Sequence, residues 1–315
     1  MRVLFAGTPE IALPSLLKLN EDHDVVGVLT NPDKCCGRGQ EIACCPVKLE
    51  ADDLGIKVLQ PEKLDEAFIE EVKLLKPDIL AVVAFGKIFK KNFLDIFPEG
   101  ALNVHPSLLP KFRGASPIPS ALLNGDSETG ITIQRLALKM DSGNILKQEP
   151  YVYKGDETCE TLTTYFAHRG AELLSETITQ IENGDIAERI QDEAEATYCS
   201  YINKKDGLIN WNDSAEYIER KLRAFTPWPG IYTFYGKKKL NIIDAGIFPE
   251  TGITQSNSCE NGKVIGIDKN NGILIQTGKG ILAVKRLQLQ SKKALNWKDF
   301  LNGVKDFNET VLGGE

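Results

Sequence analysis

Apolar runs alternate with amphipathic segments through the first half of the chain. Residues 2–7, 24–30 and 78–85 are short runs rich in apolar and β-branched side chains, and the third is apolar at nearly every position. Such continuous runs are typical of parallel strands covered on both faces. Residues 64–75 instead repeat apolar side chains at helical spacing. The alternation predicts an α/β fold, with a Rossmann-like parallel or mixed sheet and helices on both sides.

The pattern changes in the second half. Residues 129–154 predict two strands that extend the sheet, and a long helix follows near 159–183. After one more helix at 214–225 come five short strand-like runs separated by Gly and Asn turns, which predict an OB-like β-barrel. The Glu-rich stretch before that helix reads as a linker. We therefore expect a first domain at 1–188, a linker at 189–206 and a second domain at 207–315.

Charge is distributed unevenly between the two halves. Residues 1–200 carry 20 Lys and Arg against 32 Asp and Glu, whereas residues 201–315 carry 17 against 12. Such asymmetry indicates contact between nucleic acid and the basic part, although a chance excess of solvated lysines explains it equally well. The lysines that the predicted barrel would present are Lys237, Lys238, Lys239, Lys292 and Lys293.

Membrane and metal sites find little support in the sequence. No apolar run approaches the roughly 18 residues that span a bilayer, and the N-terminal run is too short for a secretory signal, so we expect a cytoplasmic protein. The seven cysteines include the adjacent pairs Cys35-Cys36 and Cys44-Cys45. Neighbouring cysteines tend to point apart, and zinc sites usually need a C-x2-C spacing. We expect reduced cysteines in a surface loop and no metal.

The stretch "ALNVHPSLLPKFRGASP" (101–117) carries the strongest chemical signal. In an extended segment, side chains at i and i+2 point the same way, so Asn103 and His105 share one face at a strand end. Two N–H donors there suit an oxygen that gains negative charge in a tetrahedral intermediate. Asp141, which lies in a turn after another strand, can orient or charge the imidazole. The plain alternative is an Asn and a His that only cap a loop.

The turn after the first predicted strand indicates which cofactors the protein is not expected to bind. The segment after the first strand is "GTPE", with a single glycine followed by a proline. A dinucleotide fold needs G-x-G-x-x-G at this place, so that the backbone can approach a pyrophosphate. The sequence therefore disfavours NAD and FAD.

Two segments, "NVHPSLLPKFRGASPI" and "GITIQRLALKMDSGNI", resemble the signature of the folate-dependent formyltransferases. That family uses 10-formyltetrahydrofolate as its formyl donor and needs no metal. The resemblance implies that Asn103, His105 and Asp141 are catalytic. It also implies a folate pocket, formed by Ser107, Leu108, Leu109 and Pro110 together with the loop at Phe85 and Gly86.

Further segments favour the branch of the family that formylates methionyl-tRNA. "NPDKCCGRGQEIACCPVK" (31–48) resembles the loop inserted in that branch, which implies that Arg38 contacts the acceptor end of the tRNA. "KKDGLINW" and "RAFTPWPG" resemble the start of its tRNA-contacting domain, so Lys237, Lys238 and Lys239 are tRNA candidates. Trp228 is expected to pack in the core rather than to contact tRNA. The cysteine pairs depart from the pattern of this branch.

The implied reaction transfers the formyl group to the α-amino group of initiator methionyl-tRNA for the initiation of translation, in a protein expected to be monomeric. Two rival functions remain. A formyltransferase acting on a small amine, such as a sugar nucleotide, would share the three catalytic residues but would not need the Arg38 loop. A non-catalytic RNA-binding protein would not need the intact set of Asn103, His105 and Asp141.

Overall fold

A computed structural model describes residues 1–36, 41–249 and 259–313, and the chain divides into two units. The first unit comprises Met1–Pro117, Ser127–Tyr153 and Thr161–Ser200. The second comprises Ile118–Asp126, Lys154–Glu160 and Tyr201–Glu315.

The first unit is an α/β structure. Its strands in the described residues are β1 (Arg2–Gly7), β2 (Asp24–Leu29), β3 (Lys34–Cys36), β4 (Glu41–Ala43), β5 (Val58–Leu59), β6 (Ile79–Val83), β7 (Ala101–His105), β8 (Arg113–Gly114), β9 (Glu128–Arg135), β10 (Ile145–Val152) and β11 (Tyr198–Cys199). The helices that precede and follow them are α1 (Leu13–Asp22), α2 (Pro46–Asp53), α3 (Glu66–Leu74), α4 (Lys91–Leu94), α5 (Pro117–Asn124) and α6 (Cys159–Glu182), of which α5 falls almost wholly in the second unit.

The central sheet of the first unit has the order β10-β9-β7-β6-β1-β2-β5. The pairs from β7 to β5 are parallel, and β9 and β10 continue the sheet in antiparallel fashion. Strands β1 and β6 are almost wholly buried, as their continuous apolar runs require. The predicted Rossmann-like mixed sheet is confirmed. Because β1, β6 and β7 are parallel, their carboxyl ends meet at one edge, where open α/β sheets bind ligands.

The second unit is built on an antiparallel sheet. Its elements are α7 (Ala215–Ala224), β12 (Ile231–Tyr235), β13 (Lys238–Ile247), β14 (Val264–Asp268), β15 (Gly272–Gln276), β16 (Ile281–Leu289), β17 (Leu295–Asn296) and α8 (Trp297–Gly303). The strand order is β12-β13-β16-β15-β14, with β17 beside β16. The five predicted strands and the preceding helix therefore form where the turn residues separate them.

The predicted linker, 189–206, contains the boundary between the units, which follows Ser200. Its first part is folded onto the first unit. Arg189 forms a β-bridge with Ile145, and β11 pairs in parallel with β8. Polar side chains in this stretch, which composition alone makes typical of a linker, turn inward and bond to the edge of the site described below. Among the described residues, no helix is long and apolar enough to cross a membrane.

Candidate active site

Strand β7 brings Asn103 and His105 to the carboxyl edge of the central sheet. Asn103 lies between Val82 of β6 and Gln134 of β9, and His105 lies opposite Thr132 of β9. Both side chains point to the same face because they are two residues apart in a strand. The Asn103 amide is partly exposed and makes no hydrogen bond within the described residues. It is therefore a donor that a ligand can use.

The His105 imidazole is enclosed by protein, with 4 % of the residue exposed. Its Nε2 lies 2.9 Å from the Phe112 carbonyl oxygen, and its Nδ1 lies 3.7 Å from Asp141 Oδ1. A carbonyl only accepts hydrogen bonds, so Nε2 carries the proton in the neutral imidazole. The separation between Nδ1 and Asp141 exceeds a hydrogen bond, so the carboxylate acts on the imidazole through its charge when the ring is protonated.

Asp141 lies in the turn between β9 and β10, with a backbone φ of 49°. Its carboxylate accepts two hydrogen bonds: Oδ2 from the Gly114 backbone N–H at 2.8 Å and Oδ1 from Gln134 Nε2 at 2.9 Å. These two donors come from β8 and β9 and aim the carboxylate toward His105. The structure therefore brings the predicted carboxylate to the predicted imidazole, across 36 positions of sequence.

Two glycines allow the backbone segments around Asp141 to lie close to their neighbours. A Cβ on Gly114 would lie 2.1 Å from the Cys199 carbonyl oxygen, and the φ of Gly114 is +122°. A Cβ on Gly143 would lie 1.7 Å from the Arg135 carbonyl oxygen. Any side chain at these positions would push the backbone away from its neighbour, because real Cβ atoms do not approach so closely. The glycines of "FRGAS" and "DSGNI" are therefore required by the turns that carry the site.

Burial is the main influence on the pKa of His105. Removal from water lowers the pKa of His105 below its usual value, and the charge of Asp141 and the bond to the Phe112 carbonyl offset this only in part. The imidazole is neutral at pH 7 and leaves Nδ1 unprotonated beside the carboxylate. The sequence predicts that an N–H of His105 donates to the formyl oxygen. The structure argues against this role, because the Nε2–H is already hydrogen-bonded to the Phe112 carbonyl.

The loop after β7 is fixed by hydrogen bonds to β9 and β10. Thr132 Oγ1 donates to the Ser107 carbonyl at 2.6 Å and accepts from the Leu109 N–H at 3.2 Å. Gln148 Nε2 donates to the Leu109 carbonyl and to Thr132 Oγ1, both at 2.9 Å. The backbone of the loop therefore has partners on both neighbouring strands.

The residues expected to line a folate pocket differ in exposure. Ser107 is fully buried and donates its hydroxyl to the Lys111 carbonyl; Leu109 and Pro110 are buried as well. Leu108 is partly exposed and packs over β9, where a Cβ on Gly130 would lie 2.4 Å from its Cδ2. Of these four residues, Leu108 is therefore the one with surface left for a ligand.

The second predicted folate segment, at the end of β6, presents backbone rather than an aromatic ring. The Phe85 side chain is 2 % exposed and stacks on Phe89 with ring centroids 5.4 Å apart. Its carbonyl accepts a hydrogen bond from Asn31. Beside it, the position of a Cβ on Gly86 has no atom within 4 Å. Phe85 thus supports the loop from the core, and the open space lies at Gly86.

Sequence reasoning missed four polar residues that hold this site: Thr132, Gln134, Gln148 and Gln191. A signal for two of them was present. Thr132 and Gln134 alternate with the fully buried Ile131 and Ile133 in a strand covered on both sides, and both are buried. Buried polar side chains in such a strand indicate specific partners. Gln191 had no such signal, because it lies in the predicted linker.

The predicted tRNA lysines lie in the second unit. Lys237 and Lys238 are exposed at the turn between β12 and β13, and Lys239 Nζ lies 3.8 Å from the centroid of the Tyr232 ring. The turn after β16 lies alongside, since the Gln290 N–H donates to the Lys239 carbonyl at 2.8 Å. Lys292 and Lys293, in that turn, are also exposed. Together, Lys237, Lys238, Lys292 and Lys293 are called the lysine turns below.

Trp228 was expected to pack in the core, and this prediction is wrong. Trp228 is 54 % exposed, between Pro227 and Pro229. The aromatic side chain that fills the core of this unit is instead Trp211, which is 5 % exposed and donates its Nε1–H to Thr233 Oγ1 at 3.0 Å. The pattern of residues around Trp228 does not record tertiary packing, which leaves this side chain at the surface.

Arg38 lies outside the described residues, between β3 and β4. The base of this hairpin is anchored on Asp33, whose carboxylate binds Lys48 Nζ at 2.5 Å and Gln60 Nε2 at 2.9 Å. The hydrogen bond from Lys48 is the largest influence that lowers the pKa of Asp33.

The described cysteine side chains form no disulfide bond. Cys44 and Cys45 are partly exposed, and Cys45 Sγ lies 2.9 Å from Thr30 Oγ1. The side chains of Cys35 and Cys36 lie outside the description. Within the part of the chain that the structure describes, no group of three or more His, Cys, Asp or Glu side chains could hold a metal ion.

The chain matches two family models and a set of curated relatives. Residues 1–178 match the family described as formyl transferase, and residues 201–305 match the formyl transferase C-terminal domain. A methionyl-tRNA formyltransferase from Treponema denticola is 45 % identical over 317 residues, covering 98 % of each chain. One from Borrelia hermsii is 43 % identical over 309 residues, covering 97 % of this chain and 98 % of the relative.

Solved structures share the fold. A sugar 3N-formyl transferase determined with dTDP and 5-N-formyl-THF has a TM-score of 0.65 and 22 % identity, covering 93 % of this chain and 99 % of that chain. An N-formyltransferase from Helicobacter canadensis, determined with folinic acid and dTDP-3-aminofucose, has a TM-score of 0.65 and 23 % identity. The match covers 90 % of this chain and 98 % of that chain.

Proposed function

The chain belongs to the methionyl-tRNA formyltransferase family, and we propose that Asn103, His105 and Asp141 carry out its reaction. The enzyme transfers a formyl group from 10-formyltetrahydrofolate to the α-amino group of methionyl-tRNA. A new C–N bond forms between the amine and the formyl carbon, the bond from that carbon to N10 of the folate breaks, and one proton moves from the amine to N10. An α-amine has a pKa of about 8, so a sizeable neutral fraction exists at pH 7.

Asn103 stabilises the formyl oxygen as negative charge develops on it. The Asn103 side-chain amide makes no hydrogen bond to any described residue, so its N–H groups can donate to a ligand. A donor that is already in place stabilises an oxyanion without reorganisation when the charge appears.

His105 and Asp141 handle the proton. The neutral imidazole accepts it at Nδ1 and passes it to the departing N10. The imidazolium formed in between is hydrogen-bonded at Nε2 to the Phe112 carbonyl, and the negative charge of the Asp141 carboxylate lies 3.7 Å from its Nδ1. Its positive charge is therefore favoured as soon as it forms, although burial keeps the resting imidazole neutral.

The formyl donor fits beside these residues at the carboxyl edge of the sheet. The partly exposed Leu108 offers an apolar contact for a flat ring, and the space at Gly86 leaves backbone within reach of polar ring atoms. Ser107, Leu109, Pro110 and Phe85 shape this pocket from behind, through the partners that hold their own backbone and side chains in place.

The tRNA is engaged by Arg38 near the acceptor end and by the lysine turns, with Lys239 beside them. Exposed lysines that lack an acidic partner neutralise phosphates and release counterions. We propose further that the acceptor is the initiator tRNA, and that the protein works as a cytoplasmic monomer.

The observation that supports this proposal most directly is the 3.7 Å approach of Asp141 to His105, beside an Asn103 amide that is free to donate. The test is a formyl-transfer assay with the formyl donor and three acceptors: charged initiator methionine tRNA, charged elongator methionine tRNA and a dTDP-amino sugar. We expect rapid formylation of the initiator only. Preference for the amino sugar would overturn the proposal, and so would the absence of any tetrahydrofolate release with all three acceptors.

A further inference from the structure

The turn that carries Asp141 is held by a side chain from a distant part of the sequence. Gln191 Nε2 donates one hydrogen bond to the Asp141 carbonyl at 2.8 Å and one to the Gly143 carbonyl at 2.7 Å. Both amide hydrogens are therefore used on the backbone of this one turn. Gln191 is 6 % exposed, so it offers almost no surface to a substrate.

The orientation of the Gln191 amide is fixed from its other end. Its Oε1 accepts from Arg113 Nε at 3.0 Å and from Arg113 Nη2 at 2.9 Å. A guanidinium only donates hydrogen bonds, so the oxygen must face Arg113 and the nitrogen must face the turn. The usual ambiguity between the two ends of an amide does not arise here.

Arg113 is a rigid anchor for this arrangement. It has no exposed surface, and its Nη1 forms a 2.8 Å ion pair with Glu193 and a 3.2 Å hydrogen bond with the Tyr198 hydroxyl. The next residue, Gly114, donates its N–H to the Asp141 carboxylate. One short strand, β8, thus fixes the carboxylate directly and fixes the backbone of its turn through Gln191.

We propose that Gln191 is a positioning residue for Asp141 in formyl transfer, acting with Arg113. The inference rests on the catalytic role proposed for Asp141. A φ of 49° is unfavourable for a residue with a side chain and persists only where the surroundings impose it. Without the two donors the turn relaxes, and the carboxylate loses its place beside His105. A displacement of about 1 Å at a reacting group can cost on the order of 10²-fold in rate.

The decisive variant is Gln191→Glu. An ionised glutamate of the same shape still accepts from Arg113 and keeps that anchor in place, but it has no hydrogen to donate to the two carbonyls. We expect kcat to fall by about 10- to 100-fold, with KM for both substrates within about threefold of wild type. Gln191→Met, which removes the hydrogen bonds without adding charge, should change kcat and KM in the same way.

Folding is checked by urea unfolding and by the affinity for the formyl donor. Gln276→Met, which removes a partly buried amide bonded to the Thr277 carbonyl in the second unit, is the matched control and should keep wild-type kcat. A kcat within threefold of wild type in a folded Gln191→Glu protein would overturn the inference.

A double-mutant cycle with Asp141→Asn separates positioning from general support. If Gln191 acts through Asp141, adding Gln191→Glu to Asp141→Asn should lower kcat by no more than about threefold further. Losses that multiply would overturn the positioning role and leave the role of Asp141 intact. An Asp141→Asn single variant with wild-type kcat would instead overturn the proposed function itself.

Discussion

The catalytic turns of the first unit and the lysine turns of the second unit are built in opposite ways. The carboxylate and turn of Asp141 receive four hydrogen bonds, from Gly114, Gln134 and twice from Gln191, and the side chains of Gln134 and Gln191 are buried. Lys237 and Lys238, by contrast, are exposed and make no ion pair within the described residues. One region fixes positions and the other only supplies charge.

The difference reflects what each region has to recognise. A formyl carbon in transfer needs a donor and a proton carrier within a few tenths of an ångström of their places. Phosphates of a tRNA need positive charge nearby, and long flexible side chains can reach them from many positions. Substitutions in the first region should therefore cause large losses that do not add, and substitutions in the second should cause small losses that do.

The largest effect is expected at Asn103. Asn103→Ala removes the donor proposed for the formyl oxygen, and the loss of one such donor typically costs roughly 10²–10³ in kcat. Affinity for the formyl donor should stay near wild type, because the interaction strengthens only in the transition state. Single-turnover kinetics and a folate-binding titration measure the two quantities. Turnover within a fewfold of wild type would place the oxyanion elsewhere.

A smaller effect is expected where the folate loop is held to the sheet. Thr132→Val keeps the shape but leaves the Leu109 N–H and the Ser107 carbonyl without their partner in a buried place. Such a loss costs about 1–3 kcal/mol of unfolding free energy. We expect this in urea unfolding, together with a raised KM for the formyl donor.

Thr177→Val is the matched control for Thr132→Val. Thr177 is equally buried, and its hydroxyl only bonds back to the Leu173 carbonyl within α6. It should lose clearly less stability and keep its KM. Equal losses in the two variants would show that the loop does not depend on Thr132.

The sequence predicted the parts of the catalytic region that follow from local pattern. Strand-like segments located β7 and β9, and the i, i+2 rule placed Asn103 and His105 on one face. The end of a predicted strand placed Asp141 in a turn. Each of these signals lies within a few residues of the feature it predicts.

The unpredicted parts depend on contacts between distant segments. Gln191 reaches Asp141 across 50 positions, and its surroundings in sequence are those of a polar linker. Phe85 and Leu109 match the family pattern, but only the packing shows that their side chains face the interior. Exposure of Trp228 likewise depends on tertiary packing, which no short pattern records.

Titration of the buried imidazole offers a sharper contrast with the exposed lysines. Burial lowers the pKa of His105 in the folded state below its unfolded value of about 6.5. The unfolded state therefore binds more protons than the folded state as the pH falls through that value. The free energy of unfolding should therefore decrease as the pH is lowered below about 6.5. His105 can contribute at most about 1.4 kcal/mol to this decrease per pH unit.

Part of that pH dependence should disappear in a variant. We expect His105→Gln to flatten the dependence of the urea midpoint on pH. His23, whose pKa burial also lowers, should contribute to the slope that remains. An unchanged slope in His105→Gln would mean that the imidazole takes up a proton without cost in the folded protein.

The smallest effects should come from single lysines. Lys238→Ala removes one exposed charge, so kcat/KM for the tRNA should fall only about two- to fivefold. The slope of log kcat/KM against log salt concentration should become shallower by the contribution of about one phosphate contact. Lys263→Ala is the matched control, because Lys263 Nζ is already paired with Glu309 at 2.6 Å. A double variant of Lys238 and Lys292 should show losses that simply multiply, since charges on flexible side chains act independently. Losses that exceed the product would mean that the lysine turns bind one phosphate together, and that this region is also built around a fixed geometry.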